Sequence, residues 1–556
     1  MRAQALPSLV LLLAVSAGSP LPALQAAPAP AAAPAPTPAP AASGGGDNEW
    51  ARGAVFYEVF VRSFKDGNGD GKGDLQGLIS KLDYLNDGNP HSFGDLGVDA
   101  LWLMPVFRSP SYHGYDTTDY EHINPDYGTD DDFAQLLAAA HKRGMKVIVD
   151  LVMNHTSSKH PWFVDANSGP DAAKRSWYVW RTDDPGWIQP WADGKNRTWH
   201  QGNGGYYYGV FWGGMPDLNF RNPAVRQEME RLADLWLARG VDGFRLDATR
   251  HLIEDGPDQQ QVDTPETHAF LKELAAHVRA KYPQAVLVGE NWTETPIIAA
   301  YYGGGTELPM SFDFPLAKAI VQGAKDGQAG GIAAKLDEIA HLYPKSAIDP
   351  PFLTNHDMIR VATEMGGDLG KEKSAAAVLL TLPGAPFLYY GEELGLANGP
   401  GTADEQKRTP MPWDGTEIAG FTTGKPWEGF ATGKEKTNVA AETSDPQSLL
   451  SHYRFLIRAR HNSVALRKGS LTLLTPATAT TPVLAFLRIT PGAAGETVLV
   501  LHNLGDTPIE AGPYNVPGTP DPYFVSPGVP PLSGGSGAWK VQLPPHGSGV
   551  WRMRVR

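Results

Sequence analysis

Residues 240–251 read GVDGFRLDATRH, an apolar run that delivers an acid, Asp247, at its end. Two later stretches have the same form: residues 285–292, AVLVGENW, deliver Glu290, and residues 351–357, PFLTNHD, deliver Asp357. Short apolar runs bounded by turn residues read as buried parallel strands. In barrel enzymes the C-terminal strand ends carry the chemistry. Three acids at three such strand ends, two of them beside Arg245 or His356, predict an active site built on such ends.

Outward from these runs, strand-like and helix-like segments alternate. AVFYEVFV (54–61), DALWLMP (99–105) and MKVIVDLV (145–152) precede the first acid, and LPMSFDF (308–314) and PFLYYG (386–391) complete a series of about eight. Between the second and third lies DDFAQLLAAAHKRG, an amphipathic helix stopped by Gly144. Before GVDGFRLD comes RNPAVRQEMERLADLWLARG, with Asn222 as N-cap, Pro223 in the first turn and Gly240 as stop. Eight strand–helix units predict an α/β fold, a (β/α)8 TIM barrel.

Two segments depart from this rhythm. Residues 156–215 are rich in Trp, Tyr, Gly and Asp and lack a regular period. Loops of that length are functional or form a subdomain. Leaving the barrel after the third strand, the segment is expected to overhang the catalytic face. After residue 447 a helix (448–460) leads into alternating segments such as LAFLRIT, TVLVLHNL and GVWRMRVR, the pattern of a C-terminal antiparallel β domain packed on the barrel. The organisation expected is a signal peptide (1–26), an Ala/Pro/Gly linker (27–47), barrel (48–155), insertion (156–215), barrel (216–446) and β domain (447–556).

The first 26 residues carry an early Arg, an apolar stretch around residues 9–17 and small residues near Ala26, which reads as a secretory leader. An exported product, periplasmic or extracellular, is expected. The chain has no cysteine, so no disulfide contributes to its stability. A formal net charge of −14 argues against nucleic-acid and anionic-membrane partners. The chain is read as a monomer. Fifteen tryptophans admit two readings, core packing and platforms for the apolar faces of sugar rings.

Arg245 and Asp247 are two apart on a strand and share a face. A fixed guanidinium keeps a neighbouring carboxylate ionised and oriented, which suits a nucleophile. Apolar surroundings protonate a carboxyl, which suits Glu290 as proton donor. One ionised and one protonatable carboxyl form the working pair of a glycoside hydrolase.

DGNGDGKGD (66–74) places oxygen ligands at every second position, separated by glycines, as a calcium loop does. Its start has the EF-hand spacing, but Gly77 stands where the bidentate Glu belongs, so the EF-hand reading fails.

Four ordered segments, DLVMNH, GFRLDATRH, LVGENW and FLTNHD, resemble those of the α-amylase family of glycoside hydrolases. So do HGYDTTDY (113–120), MPDLN (215–219), PGAPFLYYGEELGL (383–396) and RTPMPWD (408–414), and the likeness spans roughly residues 50–550. It implies Asp247 as nucleophile, Glu290 as acid and then base, and Asp357 as the group that binds hydroxyls of the distorted sugar. It further implies that Arg245 orients Asp247, that His155 and His356 hydrogen-bond the sugar, and that Tyr115 stacks beneath it. Arg250, where classical members usually carry Lys, and His251 would contact sugar on the leaving side. The likeness also implies a structural Ca2+ held by the side chains of Asp66, Asn68, Asp70 and Asp74 and the carbonyl of Lys72. A second Ca2+ at Asn154, as in many members, would need ligands from the insertion that the sequence does not identify.

MPDLN resembles an exported branch between oligo-1,6-glucosidases and neopullulanases. The activity implied is an exported α-amylase cleaving internal α-1,4 bonds of starch and maltooligosaccharides with retention. The alternatives are an α-glucosidase or a trehalose-synthase-like transglycosylase, and, more remotely, a non-catalytic carbohydrate-binding relative.

Overall fold

The structure is a computed structural model and describes residues 48–191, 194–476, 480–492, 495–535 and 537–555. The leader and linker readings lie outside the described residues. Seven parallel strands form one sheet: β1 (Phe56–Val59), β2 (Ala100–Leu103), β3 (Lys146–Leu151), β4 (Gly243–Leu246), β5 (Val286–Gly289), β6 (Met310–Ser311) and β7 (Phe387–Tyr389). Their spatial order is β6-β5-β4-β3-β2-β1-β7, the sequence order with β7 returning beside β1.

Residues 348–352 fill the remaining gap. The Ile348 N–H donates to the Pro309 carbonyl at 3.0 Å, while Ala385 and Phe387 donate to the carbonyls of Asp349 and Pro351, each at 2.8 Å. Phe352 adds a parallel bridge to Phe387. PFLTN reads as a full strand in the sequence but contributes only that bridge. Pro350 and Pro351 have no N–H to offer a ladder, which leaves the Ile348 N–H as the segment's donor to β6 and the carbonyls of Asp349 and Pro351 as its acceptors from β7. The β6 strand is likewise shorter than LPMSFDF predicts. The result is a TIM barrel, closed at the seventh position by one N–H donor and two carbonyl acceptors.

Period-two alternation sorts the strand residues. Phe56, Trp102, Ile148, Val286, Val288, Met310 and Phe387 share one buried cluster inside the barrel. Their neighbours Tyr57, Leu101, Leu103, Val147, Val149 and Leu287 belong to the cluster that faces the surrounding helices. Two residues beyond Ile148 on the inward face comes Asp150, paired in register with Arg245. Two beyond Phe56 comes Glu58. The barrel interior therefore changes from hydrocarbon to charge toward its C-terminal mouth. The helix Pro223–Ala238 that feeds β4 starts as its sequence predicts: Asn222 accepts from the Ala224 N–H and Pro223 occupies the first turn. Gly240, at φ +101°, lets the chain turn back into the strand.

The insertion folds around three short antiparallel strands, Trp180–Arg181, Gly205–Tyr208 and Trp199–Gly202, in that spatial order. Bridges His155–Asp217 and Tyr178–Leu218 fix it to the barrel. The core-packing reading of its tryptophans holds for five of them. Trp162, Trp177 and Trp180 pack on the main core, and Trp187 and Trp199 pack within the insertion. Trp191 also lines an open cavity and Trp212 is exposed.

The C-terminal region forms a five-stranded antiparallel sheet with a two-stranded companion. Arg488 reaches from it to the Thr381 carbonyl at 2.6 Å and to the Gly469 carbonyl at 2.8 Å, fully buried. Among the described residues no helix is long and apolar enough to cross a membrane.

Candidate active site

The strand ends converge on Arg245, which is completely buried. Its Nη1 donates to both Asp150 oxygens at 2.9 and 3.1 Å and to Asp247 Oδ1 at 2.6 Å. Its Nη2 lies 2.9 Å from Glu290 Oε2. One guanidinium thus serves three carboxyl groups from three adjacent strands. The Arg–Asp spacing predicts an Asp247 held ionised by Arg245. The structure divides that cation among three acids, and burial lifts the Asp247 carboxyl above its ordinary range, with Arg245 offsetting only part of the rise. Burial also raises Glu290, against the pull of Arg245. Asp150 rises to about 7, through burial reinforced by Asp247 and opposed by Arg245.

Glu290 is aimed by backbone. Its Oε2 accepts from the Ala248 N–H at 2.9 Å, and Thr249 Oγ1 donates to the Glu290 carbonyl at 2.9 Å. Ala248 has φ +50°, a left-handed conformation unusual for a residue with a Cβ. Strain of this kind, of order 1–3 kcal/mol, persists where surrounding structure imposes it. Here it turns the chain directly after Asp247 and points the N–H at Glu290.

Asp357 and His356 form the second half of the site. His356 is buried between two carboxylates: Nδ1 lies 2.5 Å from Glu58 Oε1 and Nε2 lies 3.1 Å from Asp357 Oδ2. Burial lowers the imidazole pKa, but the two carboxylates outweigh it and raise it to about 9. Asp357 is driven far below the usual carboxylate range: burial opposes this, and His356 and Arg408 prevail. Arg408 Nη2 donates to Asp357 Oδ1 at 2.8 Å.

Tyr115 joins the two halves. Its hydroxyl lies 3.1 Å from Asp150 Oδ2 and 2.6 Å from His356 Nε2, and its ring stacks on the His356 ring. His155 is buried with Nε2 on the Tyr115 carbonyl at 3.1 Å, and burial lowers its pKa to about 4, so it is neutral. The structure therefore brings together Asp247, Glu290, Asp357, Arg245, Tyr115, His155 and His356.

A cavity of about 550 Å3 opens beside Glu290, lined by Trp191, Phe211, Arg250, His251 and Trp292 among others. Arg250 and His251 both reach it. Arg250 directs its guanidinium elsewhere, to Asp263 and to the Trp292 carbonyl. His251 is kept neutral by burial, with Nδ1 unpartnered among the described residues.

Glu58, Asp263, Arg408 and Tyr112 receive no role from sequence, and Asp150 enters only as part of the MKVIVDLV strand and the DLVMNH segment. Glu58 did leave a signal, since a lone acid inside the apolar run AVFYEVFV faces inward by period two. Asp263 and Tyr112 left none, because only folding brings their loops to the site.

The 66–74 loop lies apart from these acids. Asp66 accepts from the N–H groups of Asn68, Gly69 and Gly71, and Asp74 from those of Gly67, Asn68 and Gly77. Asn68 and Asp70 each accept one N–H two residues on. Asp66 Oδ1 and Asp74 Oδ2 each accept two of these bonds, and Asp66 Oδ2 accepts a second from the Thr422 hydroxyl, so these oxygens are already filled. Asp74 Oδ1, Asn68 Oδ1 and Asp70 each keep acceptor capacity for a cation. Among the described residues no cluster of three His, Asp or Glu side chains converges as a metal site, so any ion here would also depend on Asn68 and carbonyl oxygen. Near Asn154, its Oδ1 and Asp217 Oδ2 are buried without hydrogen-bond partners among the described residues, and burial raises Asp217 strongly. No third acid joins them among the described residues.

The Alpha amylase catalytic-domain family matches residues 58–469. The chain belongs to the α-amylase family of glycoside hydrolases. Similar to this amylase-family chain is Alpha-amylase 3 of Dictyoglomus thermophilum, 40% identical over 83% of this chain and 86% of that one. So is the trehalose synthase/amylase TreS of Mycobacterium tuberculosis, 35% identical over 83% of each chain. Among solved structures, the α-amylase from H. orenii superposes with a TM-score of 0.80 at 38% identity, over 90% of this chain and all of that one. The barrel, its charged mouth and the C-terminal sheets are thus an amylase-family architecture.

Proposed function

We propose that this protein is an exported α-amylase that hydrolyses internal α-1,4-glucosidic bonds of starch and maltooligosaccharides with retention of configuration. The observation that carries the reading is Arg245 holding Asp247 and Glu290 on two nitrogens of one guanidinium. Carboxyls tethered so closely favour the retaining separation of about 5–5.5 Å over the wider inverting one.

In this mechanism Asp247 attacks the anomeric carbon as Glu290 protonates the departing glycosidic oxygen. The C–O bond to the leaving sugar breaks and a covalent glycosyl ester to Asp247 forms. Among the described residues the bonds to the Glu290 carboxyl fall on Oε2, which leaves Oε1 to carry the proton. Glu290, now a carboxylate, takes a proton from water, whose oxygen displaces Asp247. Asp357, kept ionised by His356 and Arg408, binds hydroxyls of the distorted ring. Tyr115 offers its face to the ring where positive charge develops. Trp191, Phe211 and Trp292 receive the leaving sugar in the adjoining cavity.

A Ca2+ in the 66–74 loop would be structural, holding that turn together at a distance from the acids. Export rests on the apolar N-terminal stretch around residues 9–17 and is tested by fractionating the producing cells.

The trehalose-synthase relative supports a second reading, a transglycosylase or α-glucosidase on the same chemistry. A product profile on maltooligosaccharides of graded length, with soluble starch, pullulan and maltose, decides between them. Mixed internal cleavage products are expected. Isomerised maltose, or glucose released only from chain ends, would overturn the amylase reading.

A further inference from the structure

The wall that carries Arg408 to Asp357 is braced from outside the site. Arg408 donates through Nη2 to Asp357, through Nε to the His356 carbonyl at 3.1 Å and through Nη1 to the Tyr112 hydroxyl at 3.1 Å. Tyr112 is itself backed by Trp427: the rings stack with centroids 5.4 Å apart and planes 26° from parallel. Trp427 is fixed at both ends. Its Nε1–H donates to Ser63 Oγ at 3.1 Å, and Ser63 Oγ donates in turn to the Arg408 carbonyl at 2.5 Å. Its backbone N–H donates to the Gly71 carbonyl at 2.9 Å. Gly71, at φ +93°, admits the 425–427 segment so closely that a Cβ there would sit 1.8 Å from the Lys425 carbonyl oxygen. One half-buried indole thus contacts two of the groups that hold Arg408, Tyr112 at its guanidinium and Ser63 at its backbone.

We propose that Trp427 is a positioning residue for sugar binding at Asp357, acting through Tyr112 and Arg408. The inference rests on the reading of Asp357 as a sugar-binding group. Trp427 touches none of the acids, so its effect is on the aim of Arg408. An Arg408 that leaned away would leave Asp357 with His356 alone and free to turn. The effect belongs on kcat more than on KM, because Asp357 meets hydroxyls most strongly in the distorted ring.

The test is a double-mutant cycle on maltooligosaccharide hydrolysis. Trp427→Ala is expected to lower kcat about tenfold, with KM changed less than threefold. Trp427→Phe, which keeps the stack but loses the Ser63 bond, should recover most of that loss. In an Arg408→Ala background, Trp427→Ala should cost nothing more. Wild-type kcat in Trp427→Ala, or losses that multiply in the double variant, would overturn the inference. Should Trp427→Ala not fold, Tyr112→Phe removes only the hydroxyl that Arg408 meets. It should lose several-fold in kcat, with the loss again absent in the Arg408→Ala background; no loss would overturn the inference. Asp357→Asn is run alongside. Full activity there would sink the reading of Asp357, whereas an inactive Asp357→Asn beside an unaffected Trp427→Ala counts against the inference alone.

Discussion

Arg250 grips Asp263 with two parallel bonds, Nε to Oδ1 at 2.9 Å and Nη2 to Oδ2 at 2.6 Å. Its remaining nitrogen, Nη1, donates to the Trp292 carbonyl at 2.7 Å, and the Tyr301 hydroxyl donates to the same Asp263. Trp292 is half exposed over the cavity and stacks on Phe314, with ring centroids 4.5 Å apart. The arginine that sequence places against the leaving sugar is therefore tied into the wall, and the tryptophan it anchors presents the open face.

Arg250→Lys should behave as a deletion, because a lysine cannot supply the planar fork and the third bond together. Arg250→Lys and Asp263→Ala are each expected to lose about 2 kcal/mol in urea unfolding, the scale of a charged hydrogen bond left unmade. Combined, they should lose clearly less than the sum. Additive losses would mean that the pair does not act as a unit.

Arg245→Met removes the cation shared by three buried acids. Stranded buried charges cost about 3–5 kcal/mol, so this variant should unfold at much lower urea. Asp150→Asn keeps a polar group opposite Arg245 and should be tolerated far better. Equal stability of Arg245→Met and wild type would show that the three acids are already neutral.

The pH dependence of stability follows from His356. Its folded pKa, about 9, stands above the ordinary histidine value of about 6.5. A raised pKa means that the folded state holds a proton the unfolded chain releases. The contribution, roughly 3 kcal/mol, is complete below pH 6.5 and is lost as pH rises through 9. Melting temperature should fall across that window, and His356→Gln should flatten the fall. A parallel fall in the variant would assign the proton elsewhere.

Chelation tests the acidic loop. If Ca2+ binds there, excess chelator should lower the melting temperature, since a ligand at a hundred times its Kd contributes about 2.7 kcal/mol. Asp66→Ala should ignore added calcium and melt below the chelated temperature, because it also loses the loop bonds that Asp66 accepts. An unchanged melting curve in chelator would make the loop a plain turn, held by the hydrogen bonds already present.

The legible part of this molecule was the part dictated by local rules. Apolar runs ending in acids set the barrel and placed Asp247, Glu290 and Asp357 at its mouth, because period two and strand direction are sequence properties. The capped helix before β4 was legible for the same reason. What stayed hidden depends on long-range meeting. The division of Arg245 among three acids needs the β3–β4–β5 register. The clamp on Arg250 needs residue 263 from another loop. The reduced PFLTN strand was misread because hydrophobicity masked the missing N–H groups of two adjacent prolines.

Ala248 holds Glu290 through a main-chain N–H, and every residue except proline has one. Genetic drift at position 248 can therefore alter the comfort of the turn without deleting the donor. Glycine would relax it, and a β-branched side chain would tighten it. The aim of the proton donor is in this respect insulated from the genetic code, and its vulnerability lies in anything that reshapes the turn as a whole.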